Sequence, residues 1–231
     1  MEYYFVSDKD IFFAAEMADK KSSKGQCATY SWDLQFDPAK VDLPEKLFIF
    51  LDAEYPLEPF DFDELRGGIL CSQKFVNLLD RFAVKYRKSV IEYIDCGGGG
   101  IENAQSTFFI IIDDFINCLD LEQSEIEYFP DRSDFNRENV KCINKIAFKN
   151  TGHAFFKSAD LPTMNWIATE NFKRACEQAA IVNMSFSAQN DVVIARDSLG
   201  LLTMSSRPES REQLAMKALA KRRKGRSGSP V

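Results

Sequence analysis

Hydrophobic and polar positions follow the same order in two separate stretches of the chain. Residues 68–95 read GILCSQKFVNLLDRFAVKYRKSVIEYID, and residues 166–188 read WIATENFKRACEQAAIVNMSFSA. In both stretches a short apolar run precedes a Ser or Thr, apolar residues at helical spacing follow, and a β-prone run ends the stretch. This pattern predicts two units, each made of a strand, a helix and a second strand.

Each predicted helix has a residue suited to cap its N-terminus. A Ser or Thr side chain there accepts a hydrogen bond from a free backbone N–H of the first turn, and Ser72 and Thr169 occupy this position. Apolar faces follow, with Phe75, Leu78, Leu79 and Phe82 in the first helix and Phe172, Ala175, Cys176 and Ala179 in the second. Such faces are buried against a sheet. The sequence therefore predicts an α+β fold, in which a mixed or antiparallel sheet and two capped-helix strand–helix–strand units pack into one body.

The remaining segments predict a division of the chain into three parts. Residues 1–64 read as variable strands with an acidic loop, residues 65–206 as the α+β body, and residues 207–231 as a basic tail without fixed structure. Within the first part, residues 10–21 (DIFFAAEMADKK) predict a short helix. Within the second, residues 145–157 (KIAFKNTGHAFFK) predict a hairpin that turns at residues 150–152.

Composition and residue usage favour a cytoplasmic protein without catalytic function. The longest apolar run, at residues 108–112, is too short to span a bilayer, and the first residues lack the basic region of an export signal. All six cysteines stand singly, which is typical of reduced, buried thiols. His153 is the single histidine in 231 residues, and general acid–base catalysis draws on histidine most often. We therefore predict no enzyme activity, no cofactor and no metal.

Charge is distributed unevenly along the chain. The net charge of −6 divides into +6 for residues 207–231 and −12 for the remainder. The tail sequence KRRKGR could bind nucleic acid, but no aromatic residue is interleaved to stack on bases, so we favour a solubilising role.

The stretch from Asp33 to Glu64 is strongly acidic, with ten carboxylates and two lysines. This stretch predicts a binding surface for a basic protein, because aromatic anchors lie among its charges. The predicted contact residues are Asp52, Glu54, Tyr55, Glu58, Phe60, Asp61, Phe62, Asp63 and Glu64.

Three motifs suggest other chemistry, and none is complete. The CGGGG run at residues 96–100 lacks the lysine and the following helix of a phosphate-binding loop. Asp61 and Asp63 have the spacing of a Mg²⁺-binding pair, but no ligand cluster follows. His153 could pair with a cysteine as base and nucleophile, although spacing alone does not show which cysteine. A cysteine- or metal-dependent hydrolase and a nucleic-acid-binding regulator using the tail therefore remain alternative functions.

The order of motifs between residues 65 and 188 resembles a family of bacterial immunity proteins. The resembling segments are GGILCSQKFVNLL, FFIIIDDFINCLDLEQSEIEYF, INKIAFK with AFFK, and WIATENFKRACEQAAIVNMSF. The family belongs to polymorphic toxin systems at contact-dependent and type VI secretion loci. This chain departs from it by lacking a Gly before the last strand, and residues 1–60 have no counterpart. The resemblance implies a cytoplasmic antitoxin that binds a cognate toxin domain, and it carries over no catalytic residues.

Overall fold

A computed structural model describes residues 2–8, 16–18, 42–51, 60–65, 67–95, 107–132, 134–136, 138–161 and 165–207. The α-helices among them are α1 (Gln73–Arg81) and α2 (Glu170–Gln178), and Gln189–Asp191 form one turn of 3-10 helix. The strands are β1 (Tyr3–Asp8), β2 (Glu16–Ala18), β3 (Lys46–Leu51), β4 (Phe62–Leu65), β5 (Gly68–Ser72), β6 (Tyr86–Asp95), β7 (Thr107–Ile112), β8 (Phe115–Ile116), β9 (Glu125–Tyr128), β10 (Val140–Lys145), β11 (Phe155–Ser158), β12 (Trp166–Thr169), β13 (Met184–Ala188), β14 (Val192–Arg196) and β15 (Leu202–Ser206). No described helix is long and apolar enough to cross a membrane.

The described strands form three sheets. A six-stranded sheet has the order β2-β3-β6-β7-β5-β4, a five-stranded sheet the order β13-β1-β12-β11-β8, and a four-stranded sheet the order β15-β14-β10-β9. The pairs β3 with β6 and β8 with β11 are parallel, and the other described pairs are antiparallel. Mixed and antiparallel sheets with two helices make an α+β fold, as the sequence predicted.

The two similar stretches of sequence adopt the same topology. Strand β7 lies between β5 and β6 and pairs antiparallel with both. In the same way β1 lies between β12 and β13 and pairs antiparallel with both. The two strands joined by each helix are therefore parallel to each other and separated by one antiparallel strand. β1 is an interior strand of the five-stranded sheet and β4 spans residues 64 and 65, so the chain on both sides of residue 64 contributes to the sheets.

Aromatic side chains join the two helices and the strands beside them into one core. Phe75 on α1 meets Phe62, Phe155 and Phe172 edge-on, with ring centroids 5.5, 5.9 and 6.2 Å apart. Phe155 also stacks on Phe172 of α2 at 4.9 Å and on Trp166 of β12 at 5.8 Å. Each such pair contributes about 0.5–1.5 kcal/mol beyond its buried area. Both helices thus depend on the same aromatic cluster.

Two local predictions from the sequence are wrong in the described residues. Residues 16–18 of the expected helix form β2 and pair with β3, while residues 9–15 lie outside the described residues. The expected hairpin at residues 150–152 does not form, because its arms belong to different sheets. Its first arm continues from β10, which pairs with β9 and β14, and its second arm is β11, which pairs with β12 and β8. Strand pairing between distant segments overrides the local turn pattern here.

Gly68 is the one glycine of β5, and the neighbouring strand leaves no room for a side chain. A Cβ added there would lie 2.7 Å from the carbonyl oxygen of Ile110 and would also collide with the Phe109 ring. We expect Gly68→Ala to lower the free energy of unfolding by about 1–3 kcal/mol, because β5 and β7 would have to separate. Urea denaturation measures this, with Ser187→Ala at an exposed position of β13 as the control. Equal stability of the two variants would contradict the packing described.

Candidate functional site

The structure buries most of the described part of the predicted binding stretch. Phe60, Asp61, Phe62 and Asp63 are at most 4% exposed, and only Glu64 lies at the surface. These four side chains are therefore not available to a partner, and this part of the prediction is corrected. The remaining predicted contact residues, Asp52, Glu54, Tyr55 and Glu58, lie outside the described residues, as do the CGGGG run and the chain beyond residue 207.

Asp61 joins three distant segments through its carboxylate. Its Oδ1 accepts a hydrogen bond from the Ser72 hydroxyl at 2.6 Å, and its Oδ2 accepts one from the Val182 N–H at 2.9 Å. The Lys74 ammonium lies 2.6 Å from Oδ2 and also donates to the Ala180 carbonyl at 2.9 Å. Ser72 in turn accepts from the Phe75 N–H as the N-cap of α1. The carboxylate is fully engaged in holding α1 against the turn after α2.

Asp63 faces a second carboxyl group instead of a metal ligand set. Burial raises its pKa to about 7, and the hydrogen bond to Asp8 and the negative charges of Asp8 and Glu64 add to the effect. Asp8 ends β1, so the two carboxyls meet where the five-stranded and six-stranded sheets touch. Among the described residues, no group of three or more His, Cys, Asp or Glu side chains is arranged to hold a metal ion. Asp61 and Asp63, which have the spacing of a Mg²⁺-binding pair, instead make contacts between segments of the chain.

The described cysteines are poor nucleophiles. Cys71, Cys118 and Cys176 are buried, and Cys142 is partly buried. Burial raises the pKa of the Cys118 and Cys176 thiols to about 12 and that of Cys71 higher still. A thiol with such a pKa carries almost no thiolate at neutral pH, and the thiolate is the reactive form. The structure therefore provides no activated thiol at these three positions.

His153 has a carboxylate partner, which sequence reasoning did not identify. Its Nδ1 lies 3.2 Å from Oδ2 of the buried Asp114, which follows β7. The imidazole lines a cleft of about 370 Å³, whose other walls include Glu2, Phe82, Glu170 and Asn171. Since Nδ1 is committed to Asp114, Nε2 is the nitrogen left for a ligand. The cleft is thus a defined cavity with one oriented imidazole.

Three exposed apolar side chains lie at one corner of the four-stranded sheet, and we call this set the apolar corner. Leu199 is 81% exposed and Leu201 is 61% exposed in the turn between β14 and β15, and Phe129 after β9 is 38% exposed. The Arg196 guanidinium lies over the Phe129 ring at 5.3 Å and donates to the Gly200 carbonyl. Arg196 therefore ties Phe129 to the turn that carries both leucines.

Hydrogen bonds hold the turn of the apolar corner in one conformation. One oxygen of Asp197 accepts from the N–H groups of both Leu199 and Leu201 at 2.9 Å. The backbone of Asp197 also pairs with Leu201 at 2.8 Å and with Gly200 at 3.0 Å. Arg196 further donates to the carbonyls of Val140 and Glu138. The exposed leucines are consequently presented on a fixed backbone.

Sequence reasoning missed the apolar corner, although one signal was present. Turns favour Gly, Pro, Asn, Asp and Ser, and the segment DSLGLL at residues 197–202 places two leucines in the turn itself. Apolar residues at a tight turn have no core to enter, so their exposure could have been predicted. Neither a protein-family model nor a curated protein sequence matches the chain. The resemblance to immunity proteins therefore stays a prediction.

Proposed function

We propose that this chain is an immunity protein, an antitoxin of the cytoplasm that neutralises a cognate secreted toxin by binding it directly. The observation that carries the proposal is the apolar corner, with Leu199 and Leu201 exposed on a turn locked by Asp197. The resemblance of residues 65–188 to immunity proteins supports it independently. The four-stranded sheet that carries the corner packs against the five-stranded sheet, where Val192 and Ile194 share a core with Phe5 and Ile167.

Protein interfaces obtain most of their binding energy from a few apolar or aromatic anchors, and ordering flexible groups on binding reduces the affinity. A turn that is already ordered loses little entropy when it binds. The segment from Phe129 onward also exposes Asp131, Arg132, Asp134 and Glu138, and the Arg196 guanidinium lies within the corner, so the border of the corner carries charges of both signs. An apolar socket bordered by opposite charges at the matching positions of the toxin is its complement.

The first test is the neighbouring gene: we expect a long secreted protein with a variable C-terminal domain to be encoded immediately upstream, and its absence would contradict the proposal. We expect that C-terminal domain to bind this chain, and co-expression of the two to protect cells. Changing Leu199 and Leu201 together to Ser should weaken binding about 100-fold and abolish protection, because both anchors are lost. The measurement is the dissociation constant by calorimetry, together with survival on induction. Thermal unfolding should be unchanged, because the two side chains are exposed.

A matched control is available elsewhere on the surface. Leu121 is 46% exposed in the loop before β9, so Leu121→Ser removes an exposed leucine side chain without touching the corner. Its dissociation constant for the toxin should stay within about twofold of that of the unaltered chain. Asp197→Ala keeps the leucines and frees the turn, and should weaken binding by a smaller factor than the double leucine change. Full protection by the double variant would show that the corner is not the contact surface.

A further inference from the structure

Strand β15 is an edge strand of the four-stranded sheet, and it lacks the features that protect such edges. Among the described strands it pairs with β14 alone. Natural sheets guard their edges against other chains with charged residues, bulges or very short strands. Of the other edge strands, β2, β4 and β9 contain acidic residues, β9 also pairs irregularly, and β8 has two residues.

β15 differs from these strands in sequence and in exposure. It reads LTMSS, without charge or proline, and three of its five side chains are exposed. β13 is also an edge strand without charge, but it exposes one of its five side chains. β15 is therefore the described edge strand that is most open to another chain.

The pairing with β14 determines which backbone groups of β15 face the sheet. Just beyond the two ends of the pair, the Asp197 N–H donates to the Leu201 carbonyl at 2.8 Å and the Arg207 N–H donates to the Asp191 carbonyl at 2.6 Å. The register between these bonds is regular, and antiparallel strands exchange hydrogen bonds through every second residue. The β15 residues that bond to β14 are therefore Thr203 and Ser205.

The alternate residues of β15 direct their N–H and C=O groups away from the sheet. These residues are Leu202, Met204 and Ser206. In the part of the chain that the structure describes, no backbone hydrogen bond or strand pairing uses these outward groups. A second strand adds to such an edge by bonding to its outward donors and acceptors.

We propose that β15 pairs with β15 of a second copy of this chain, antiparallel about a two-fold axis at Met204. Leu202 of one copy then faces Ser206 of the other, Met204 faces Met204, and about six backbone hydrogen bonds form. A shifted register would leave some of the outward groups unpaired. The two four-stranded sheets thereby become one continuous sheet. This inference goes beyond the proposed antitoxin function and does not depend on it.

The side chains of β15 favour its own copy as the partner. In the proposed register Thr203 faces Ser205 of the other copy, both on the exposed face of the sheet. Cross-strand pairs of hydroxyl side chains stabilise antiparallel strands, and like charges directly opposite each other destabilise them. β15 carries no charge, so its own copy brings no repulsion along the paired edge, whereas a charged strand would find no opposite charge within β15.

Self-association of the full chain is the direct test. Pairing through one short edge buries less area than a standard interface, so we expect a dissociation constant on the order of 100 μM. By sedimentation equilibrium, the average mass should be close to that of one chain at about 10 μM and approach twice that mass at about 1 mM. The mass of one chain across this whole range would overturn the proposal.

Hydrogen exchange followed by NMR identifies the strand that takes part. The amide protons of Leu202, Met204 and Ser206 should exchange about threefold more slowly at 1 mM than at about 50 μM protein, because dimerisation gives them acceptors. Those of Thr203 and Ser205 are bonded to β14 at both concentrations and should not change. Slowing confined to other segments would place the contact elsewhere and contradict the proposal.

A proline variant removes the pairing without touching the sheet. Ser206→Pro deletes an outward N–H and leaves the bonds to β14 in place, so thermal unfolding should be unchanged. The two-fold axis repeats the change, and the dissociation constant should rise by more than about 30-fold. Ser206→Ala keeps the N–H and is the matched control, expected within about twofold of the unaltered chain.

The same measurements separate the edge of β15 from the apolar corner as the contact between copies. A dimer that survives Ser206→Pro would overturn the proposal. Loss of that dimer on changing Leu199 and Leu201 to Ser would then assign the self-association to the apolar corner.

Discussion

Replacing Asp61 with alanine is expected to lower the free energy of unfolding by about 3–5 kcal/mol. The carboxylate is buried, and it binds the Ser72 hydroxyl, the Lys74 ammonium and the Val182 N–H at 2.6–2.9 Å. Its removal leaves the buried N–H and hydroxyl without their acceptor. The turn after α2 and the start of α1 would both lose the group that joins them. The transition midpoint should fall by about 10 °C or more, measured by thermal and urea denaturation followed by circular dichroism.

Graded variants separate the Asp61 network from a general effect of charge. Asp61→Asn keeps the size of the side chain but replaces one acceptor oxygen with an N–H donor. It should lower the free energy of unfolding by less than Asp61→Ala and by more than Lys74→Ala, because the Lys74 ammonium is partly exposed. Glu122→Gln is the control, because Glu122 is exposed in the loop before β9. Its stability should match that of the unaltered chain within about 0.5 kcal/mol. If Asp61→Ala were as stable as Glu122→Gln, the network would not hold the fold.

Features encoded within a few residues could be predicted from the sequence. Ser72 and Thr169 cap α1 and α2 through bonds to Phe75 and Phe172, three residues further on. Helical spacing also identified the buried faces, since Phe75 and Phe172 are fully buried. A cap and an amphipathic face depend on local geometry alone, so the same residues indicate both the element and its orientation. The sequence therefore predicts the strand–helix–strand order without knowledge of the sheets.

Features that join distant segments could not be predicted in this way. Asp61 meets Val182 across 121 positions, and His153 meets Asp114 in a contact that no periodicity encodes. Likewise β1 enters the five-stranded sheet between two strands more than 150 residues away. The charge pattern around Asp61 and Asp63 predicts a binding surface, but charge alone does not distinguish an exposed loop from a buried network. Burial depends on what the rest of the chain places over these residues.

The second large effect concerns Asp63, whose pKa burial and Asp8 raise to about 7. An unfolded Asp titrates near 3.9, so between these two values the folded chain holds a proton that the unfolded chain has released. A raised carboxyl pKa therefore contributes stability that is complete below about pH 4 and is lost as the pH rises to about 7. The full shift corresponds to about 4 kcal/mol, and screening by solvent and relaxation of the pair reduce it to about 2 kcal/mol.

Asp63→Asn should remove this loss of stability at rising pH, because the amide imitates the protonated carboxyl and can still donate a hydrogen bond to Asp8. We expect the variant to be more stable than the unaltered chain by about 2 kcal/mol at pH 8 and equal to it at pH 4. The measurement is the free energy of unfolding by urea at each half pH unit from 4 to 8.5. Asp191→Asn, an exposed change of the same kind, is the control and should follow the unaltered chain at every pH. A constant difference between Asp63→Asn and the unaltered chain across this range would show that Asp63 does not titrate near neutrality, and a less stable variant at pH 8 would show that Asp63 is bound there as a carboxylate.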